Sequence, residues 1–263
     1  MKKLIGLTVC VLLTVASAAH ADFQWDYSGG IYNGSGSLTW SDGIIAPSEI
    51  TAPSPDPLAP QNAWANSGTK MEWTVTGTPS YDPDTYGVYS WHYDYTLTVP
   101  EKAISHLIIE TSTNFTVGDI TNVSSAYVGP QLFDPNDPGK ANPLLPGTIF
   151  GLKFSPGTSE TLKYHVYFDT LRAPVWGDFY AKDGQDSKQG DKVQNVAWDA
   201  GFSNDNNPAW TAPVFVAGKI LVPDSVVYAL SGGDQPAVPV PSSLLLCTIG
   251  LAFATVVRRL RRS

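Results

Sequence analysis

Ser90-Trp91-His92-Tyr93-Asp94-Tyr95-Thr96-Leu97-Thr98-Val99 is the stretch that decides the fold class. In an extended strand successive side chains point to opposite faces. Trp91, Tyr93, Tyr95, Leu97 and Val99 therefore share one face, and His92, Asp94, Thr96 and Thr98 share the other. One face is large and apolar and the other polar, which is the pattern of a half-buried β-strand. Residues 162–169 repeat it, with Leu162, Tyr164, Val166 and Phe168 set against Lys163, His165, Tyr167 and Asp169. Working outward, strands are expected at 36–40, 70–76, 105–111, 148–154 and 214–222, because β-branched and aromatic residues cluster there between Gly and Pro. No long stretch of 3.6-residue periodicity interrupts them. The expected fold is all-β, an antiparallel β-sandwich of about eight to ten strands with long loops rich in Pro, Asp and Asn.

Three stretches resist strand assignment. Residues 45–61 carry Pro47, Pro53, Pro55, Pro57 and Pro60, and 129–147 carry Pro130, Pro135, Pro138, Pro143 and Pro146. Proline cannot donate to a strand ladder, so both read as loops. Residues 182–194 are charged and hold glycine, and they read likewise. Leu145-Pro146-Gly147-Thr148 is a turn entering a strand.

The chain ends have a different chemistry. Lys2 and Lys3 precede an apolar run over residues 4–15, and Ala19-His20-Ala21 places small side chains at the two positions read by a signal peptidase. That is the order of a cleavable secretion signal, with cleavage after Ala21 and Asp22 as the mature N-terminus. Cys10 lies inside the apolar run, which does not suit a lipoprotein. At the other end, Ser231-Gly232-Gly233-Asp234-Gln235-Pro236-Ala237-Val238-Pro239-Val240-Pro241 has the composition of a linker. Residues 244–257 then carry no charge, and Arg258, Arg259, Leu260, Arg261, Arg262 and Ser263 follow. An apolar helix before a basic cluster is a stop-transfer arrangement that keeps the arginines cytoplasmic. At about 1.5 Å per residue the helix reaches only ~21–24 Å, short for a permanent span. The organisation is therefore 1–21 signal peptide, 22–230 extracellular β domain, 231–241 linker and 242–263 tail.

With the ends set aside, the central region holds all 24 acidic residues. Without Lys2, Lys3, Arg258, Arg259, Arg261 and Arg262 it holds ten of the 16 basic ones, a net of −14 with histidine neutral. Such a surface excludes nucleic acid and anionic lipid as partners, since both require positive charge. The two cysteines, Cys10 and Cys247, lie in the terminal apolar segments, so the mature β domain has neither a disulfide framework nor a thiol nucleophile.

Val238-Pro239-Val240-Pro241-Ser242, the apolar helix and the arginine cluster together resemble the PEP-CTERM sorting signal. In that family a Pro-Glu-Pro motif precedes a short transmembrane helix and a basic end. Pro239 and Pro241 match the two prolines and Ser242 the small hydroxyl residue, while Val240 stands where the family has glutamate. The resemblance implies that an exosortase is the processing partner in a Gram-negative envelope. It also implies that the helix holds the chain in the membrane before processing, and that the product goes to the outer envelope or beyond. Cargo with this tail is associated with exopolysaccharide and biofilm matrix. Ile104-Ser105-His106, Glu110 and Pro174-Val175-Trp176-Gly177-Asp178-Phe179-Tyr180-Ala181-Lys182-Asp183-Gly184 are similar to extracellular domains found with such tails, with no assigned activity. A permanent single-pass anchor is the competing reading of the tail. A sortase signal is not, because no LPxTG precedes the helix.

Chemistry-bearing residues are sparse. Each mature histidine can share a strand face with an acid: His92 with Asp94, His106 with Glu110, His165 with Asp169. Such pairs can orient a general base or begin a metal site, and they also describe the wet face of any acidic strand. No HExxH, GxSxG, Walker or dinucleotide motif occurs, so no catalytic residues are assigned and the chain is read as a non-enzyme. A secreted polysaccharide hydrolase would need paired carboxylates, for which Glu72, Glu101, Glu110 and Glu160 are undirected candidates. Asp134-Pro135-Asn136-Asp137, Asp183-Gly184-Gln185-Asp186 and Asn204-Asp205-Asn206-Asn207 are oxygen-rich loops suited to calcium, with Asp134, Asp137, Asp183, Asp186 and Asp205 as ligands. Asn and Asp also dominate ordinary turns, and none of these loops completes an EF-hand spacing. Calcium thus enters only through a calcium-dependent adhesive alternative, and no other cofactor is implied. Trp176, Phe179, Tyr180, Trp198 and Trp210 lie in or beside loop-like sequence, where exposed rings could stack on sugars or plug the ends of the sandwich.

Overall fold

The computed structural model describes residues 23–28, 30–50, 62–79, 89–136, 142–157, 161–184, 193–204 and 216–227. In chain order the strands are β1 (Phe23–Ser28), β2 (Ile31–Thr39), β3 (Ile44–Ile45), β4 (Ser48–Ile50), β5 (Lys70–Pro79), β6 (Tyr89–Thr98) and β7 (Ile104–Glu110). They continue with β8 (Tyr127–Phe133), β9 (Ile149–Phe154), β10 (Lys163–Thr170), β11 (Arg172–Gly177), β12 (Phe179–Asp183), β13 (Val193–Asp199) and β14 (Ile220–Val227). Among the described residues the only helical element is a single 3-10 turn, Val117–Asp119. The described residues are all-β, and their strand pairings are antiparallel.

The strands form a five-stranded sheet in the order β1-β2-β5-β6-β10 and a two-stranded ribbon β11-β14. A seven-stranded sheet runs β3-β13-β12-β7-β9-β8, with β4 also on β13. The five-stranded sheet turns one face inward, and the opposing layer is made by the ribbon and the larger sheet, a sandwich-like arrangement. One continuous core joins the layers: Trp73, Tyr95 and Phe168 from one side, Leu107, Leu152, Phe154, Phe179 and Trp176 from the other. The rings of Phe154 and Phe168 stack at 5.9 Å, and Trp73 meets Trp176 edge-on at 6.4 Å. Buried hydroxyls cross the gap as well. Tyr95 Oη donates to the Leu221 carbonyl at 2.8 Å and Tyr93 Oη to the Arg172 carbonyl at 2.9 Å. Each such aromatic contributes ~1.5–3 kcal/mol by leaving water, and its hydroxyl stays satisfied.

The expected alternation in β6 is found: Trp91, Tyr93, Tyr95, Leu97 and Val99 are all buried while His92, Asp94, Thr96 and Thr98 reach solvent. In β10 Tyr164, Val166 and Phe168 are buried, but Leu162, just before the strand, is exposed. The inward indoles of β5 and β6 also explain two inward glycines. Gly77 pairs with Trp91 and Gly36 with Trp73. Each indole lies over the neighbouring glycine, where an added Cβ would come within 2.5 Å of Trp91 and 2.3 Å of Trp73.

The fourteen strands among the described residues exceed the eight to ten expected, and the surplus has a physical reason. The larger sheet is covered on both faces. Ile108, Phe133, Leu145, Ile149, Tyr180 and Val196 form a second apolar cluster on its outer side, with Trp198 and Phe202 packed against them. All five residues of β12 are consequently buried, so β12 shows no alternation to read. The three proline- or charge-rich stretches are partly strand. β3 and β4 flank Pro47 as short edge pieces on β13, β8 runs through Pro130 at a register shift, and β13 begins at Val193. Proline is tolerated in β8 because that strand lies at the sheet edge. Of the strand expected at 214–222, residues 214–215 lie outside the described residues, and among the described ones pairing begins at Ile220.

Candidate functional site

The outer face of the five-stranded sheet is an ordered polar surface. Its registers align residues in rows across the strands. Asn33, Thr76, His92 and Asp169 form one row, Ser35, Thr74, Asp94 and Tyr167 the next, and Ser37, Glu72, Thr96 and His165 the third. Antiparallel pairing forces the outward side chains of adjacent strands to within reach of one another. Two His–Asp pairs result. His92 Nδ1 lies 2.5 Å from Asp169 Oδ1, and His165 Nε2 lies 2.8 Å from Asp94 Oδ2. The Tyr167 ring sits between the imidazoles, 5.4 Å from His92 and 5.7 Å from His165. Asn122 Nδ2 donates to Asp169 Oδ2 at 2.8 Å, and Lys70 Nζ to Glu72 Oε1 at 2.7 Å.

The expected partners within each strand are thus replaced by partners across strands. His92 takes Asp169 rather than Asp94, and His165 takes Asp94 rather than Asp169. His92 and Asp169 are direct register partners, whose Cβ atoms lie ~5 Å apart, whereas His165 faces Thr96 and reaches Asp94 diagonally across the strand gap. Among the described residues neither imidazole has a hydroxyl partner, so the dyads have the orientation of a general base without a nucleophile. The side chains of all four residues are partly open to solvent.

A second group of titratable residues lies inside, where the ends of β7, β11, β13 and β14 meet. The Asp178 N–H donates to Glu110 Oε2 and the Phe179 N–H to Asp199 Oδ1, both at 2.8 Å. Asp178 Oδ2 accepts from the Ser203 N–H at 2.8 Å, and Lys219 Nζ bonds Asp178 Oδ1 and, at 2.8 Å, Ser203 Oγ. Glu110, Asp178 and Asp199 are almost completely buried. Burial and then the neighbouring Asp178 charge push the Asp199 carboxyl well above its ordinary range. As a carboxylate its Oδ2 has no donor; as the acid it donates to Asp178. For Lys219, burial lowers the ammonium pKa, but Asp178, Asp199 and Glu110 outweigh it and raise the group. Gly177 is required here, because a Cβ would stand 2.8 Å from Glu110 Oε2 and 2.4 Å from Val222. The two segments Ile104-Ser105-His106 to Glu110 and Pro174 to Gly184 meet as β7 paired with β12. His106 is buried beside Tyr180 and its pKa is lowered by burial, then by Lys153 and Lys182.

The remaining expected positions resolve as follows. Trp176, Phe179 and Tyr180 are buried, so they are core rather than a sugar platform, and Trp198 packs partly against the outer cluster. They looked loop-like because Gly177 and Asp178 interrupt the run, yet the chain continues from β11 into β12. Asp134 Oδ1 accepts from the Asn136 N–H at 2.7 Å, a local turn, and Asn204 Oδ1 is held by the Thr148 N–H and hydroxyl. Asp183 is buried and its Oδ2 accepts from Asn195 at 2.5 Å. Among the described residues no group of three or more His, Cys, Asp or Glu is placed to hold a metal ion. Glu72 is on the open face, Glu101 is exposed and Glu110 is buried in the inner cluster. Ala19, Ala21, Asp22, Asp137, Glu160, Asp186, Asp205 and Trp210 lie outside the described residues, as do Val238, Pro239, Val240, Pro241, Ser242, Arg258, Arg259, Arg261 and Arg262.

The chain matches no protein-family model, no curated protein and no solved structure.

Proposed function

We propose that the protein is a non-enzymatic component of an extracellular matrix, exported through its N-terminal signal. On this reading a PEP-CTERM-like tail sorts it, and the open face of the five-stranded sheet binds exopolysaccharide. The observation that carries the binding role is that face: a lattice of hydroxyl, amide, carboxylate and imidazole groups around the Tyr167 ring. Donors and acceptors side by side on this open face match the hydroxyls of a sugar chain, and an aromatic ring offers an apolar seat for a pyranose face. The net charge of −13 over residues 22–230 (23 acids against ten bases) favours neutral or amino-bearing polysaccharide over uronate polymers. Glu110, one of the carboxylates a hydrolase could use, instead accepts the Asp178 N–H inside the core.

Affinity electrophoresis tests the reading. The purified secreted protein is run through gels with and without a neutral glucan or a chitosan-type polymer. Retardation that disappears in Tyr167→Ala and in the double variant Asp94→Ala/Asp169→Ala is the expected result. Retardation unchanged by these variants removes the face from the account, and release of reducing sugar by the wild type turns it toward a hydrolase.

A further inference from the structure

We propose that Lys219 and Asp178 become joined by an intramolecular isopeptide bond, formed by the folded protein itself. Gly177 of β11 pairs with Ile220 of β14, so the next residues outward, Asp178 and Lys219, face each other at the end of the ribbon. The Lys219 amino group is in direct contact with Asp178 Oδ1. The Asp178 side chain is 1% exposed and that of Lys219 13%, so the reacting groups are screened from bulk water while the product water has a way out.

The surroundings suit an amide condensation. Asp199, fully buried, has one carboxyl oxygen engaged by the Phe179 N–H and the other without a protein donor, directed at Asp178. A carboxyl in that position is an acid able to polarise the Asp178 carbonyl. Glu110 holds the Asp178 backbone N–H and acts as a positioning residue. The step balances without any oxidant or co-reactant. The ammonium passes a proton to Asp178, giving a neutral amine beside a neutral acid. The amine lone pair attacks Cγ and the C–N bond forms. An N–H proton reaches the departing hydroxyl through Asp199, which gives one proton and regains another. The C–O bond breaks, one water leaves, and the ammonium and carboxylate charges are replaced by a neutral amide. Removing a buried ion pair relieves the desolvation that opposes it.

The bond also has a structural rationale. The mature β domain has no cysteine, since the chain's two, Cys10 and Cys247, lie in the terminal segments. β14 is the last described strand, and the chain beyond it leads to the tail. A staple between Lys219 and the β11–β12 corner ties that strand to the body of the domain. It thus supplies the covalent closure that a disulfide gives other extracellular proteins.

Tryptic mass spectrometry of the purified protein provides the test and depends on no variant. The bond would block cleavage after Lys219 and join residues 173–182 to the fragment that begins at Val193, lighter than the two separate pieces by one water, ~18 Da. Recovery of the joined species as the main form is the expected result. Recovery of free 173–182 and of a peptide ending at Lys219 in full yield overturns the proposal. Lys219→Arg, which keeps the cation, is expected to abolish the joined species. Asp199→Asn is expected to lower its fraction at least tenfold in freshly folded protein, and an unchanged fraction rejects the role given to Asp199.

Discussion

Replacing Gly77 by alanine tests whether the indole-over-glycine packing shapes the inner face of the five-stranded sheet. In an ordinary strand the change would stabilise by ~0.5–1 kcal/mol, since glycine loses the most backbone freedom on folding. Here the new methyl would stand 2.5 Å from Trp91 Cζ3 and 2.7 Å from Cε3. Carbon atoms in contact prefer about 3.5–4.0 Å, so the ring must retreat by about 1 Å. It cannot do so freely, because it packs against Tyr32 at 5.8 Å and Tyr89 at 5.7 Å. Overpacking of this kind costs ~1–3 kcal/mol, which outweighs the entropic gain and leaves a net loss of ~1–2 kcal/mol. Urea unfolding followed by tryptophan fluorescence should show a lower midpoint with an unchanged slope. Gly157→Ala is the control: a Cβ there meets nothing within 4 Å, and the midpoint should not fall. A Gly77→Ala protein as stable as the wild type would refute the packing argument.

His106 is buried and its pKa is lowered, so the unfolded chain takes up a proton that the folded one refuses as pH falls below 6.5. Its contribution is intact above that value and declines by ~1.4 kcal/mol per pH unit below it, so urea midpoints of His106→Gln should depend less on pH between 7.5 and 5.5. Asp119 forms a bidentate pair with Arg172 at 2.8 and 3.0 Å. Burial raises its pKa, but the bonds from Arg172 and Thr116 outweigh this and hold the carboxyl below its ordinary value. The stabilisation is therefore present above that ordinary value and fades as pH falls through the folded one. Asp119→Asn should cost about 1 kcal/mol at pH 7, allowing for partial screening, and the deficit should shrink in acid. A chelator such as EDTA should leave the melting temperature unchanged, because Asp134 Oδ1 and Asn204 Oδ1 already take protein donors; a drop would favour the calcium-dependent adhesive alternative.

The half-buried strands were legible because one face is wet: β5, β6 and β10 declare themselves by alternation. β12 did not, because a sheet covered on both sides needs no polar face, and Lys182 and Asp183 within it look like loop residues until their burial is seen. Histidines and acids sharing a face could be foreseen from the period of two. Their partners could not, because register is set by pairing between strands distant in sequence. The inner cluster was hidden for the same reason. Asp178 and Lys219 are 41 residues apart and become neighbours only through the β11–β14 ribbon. Trp176 and Tyr180 are buried rather than loop-borne, because Gly177 between them is required by the close approach of Val222 and Glu110.

The most direct test of the account is the intact mass of the protein recovered from the exopolysaccharide fraction of its native cells. The account predicts a chain beginning at Asp22, lacking Arg258 to Ser263, and enriched in that fraction. A chain still ending at Ser263 and held in the cell membrane would contradict the sorting account and identify a permanent anchor instead.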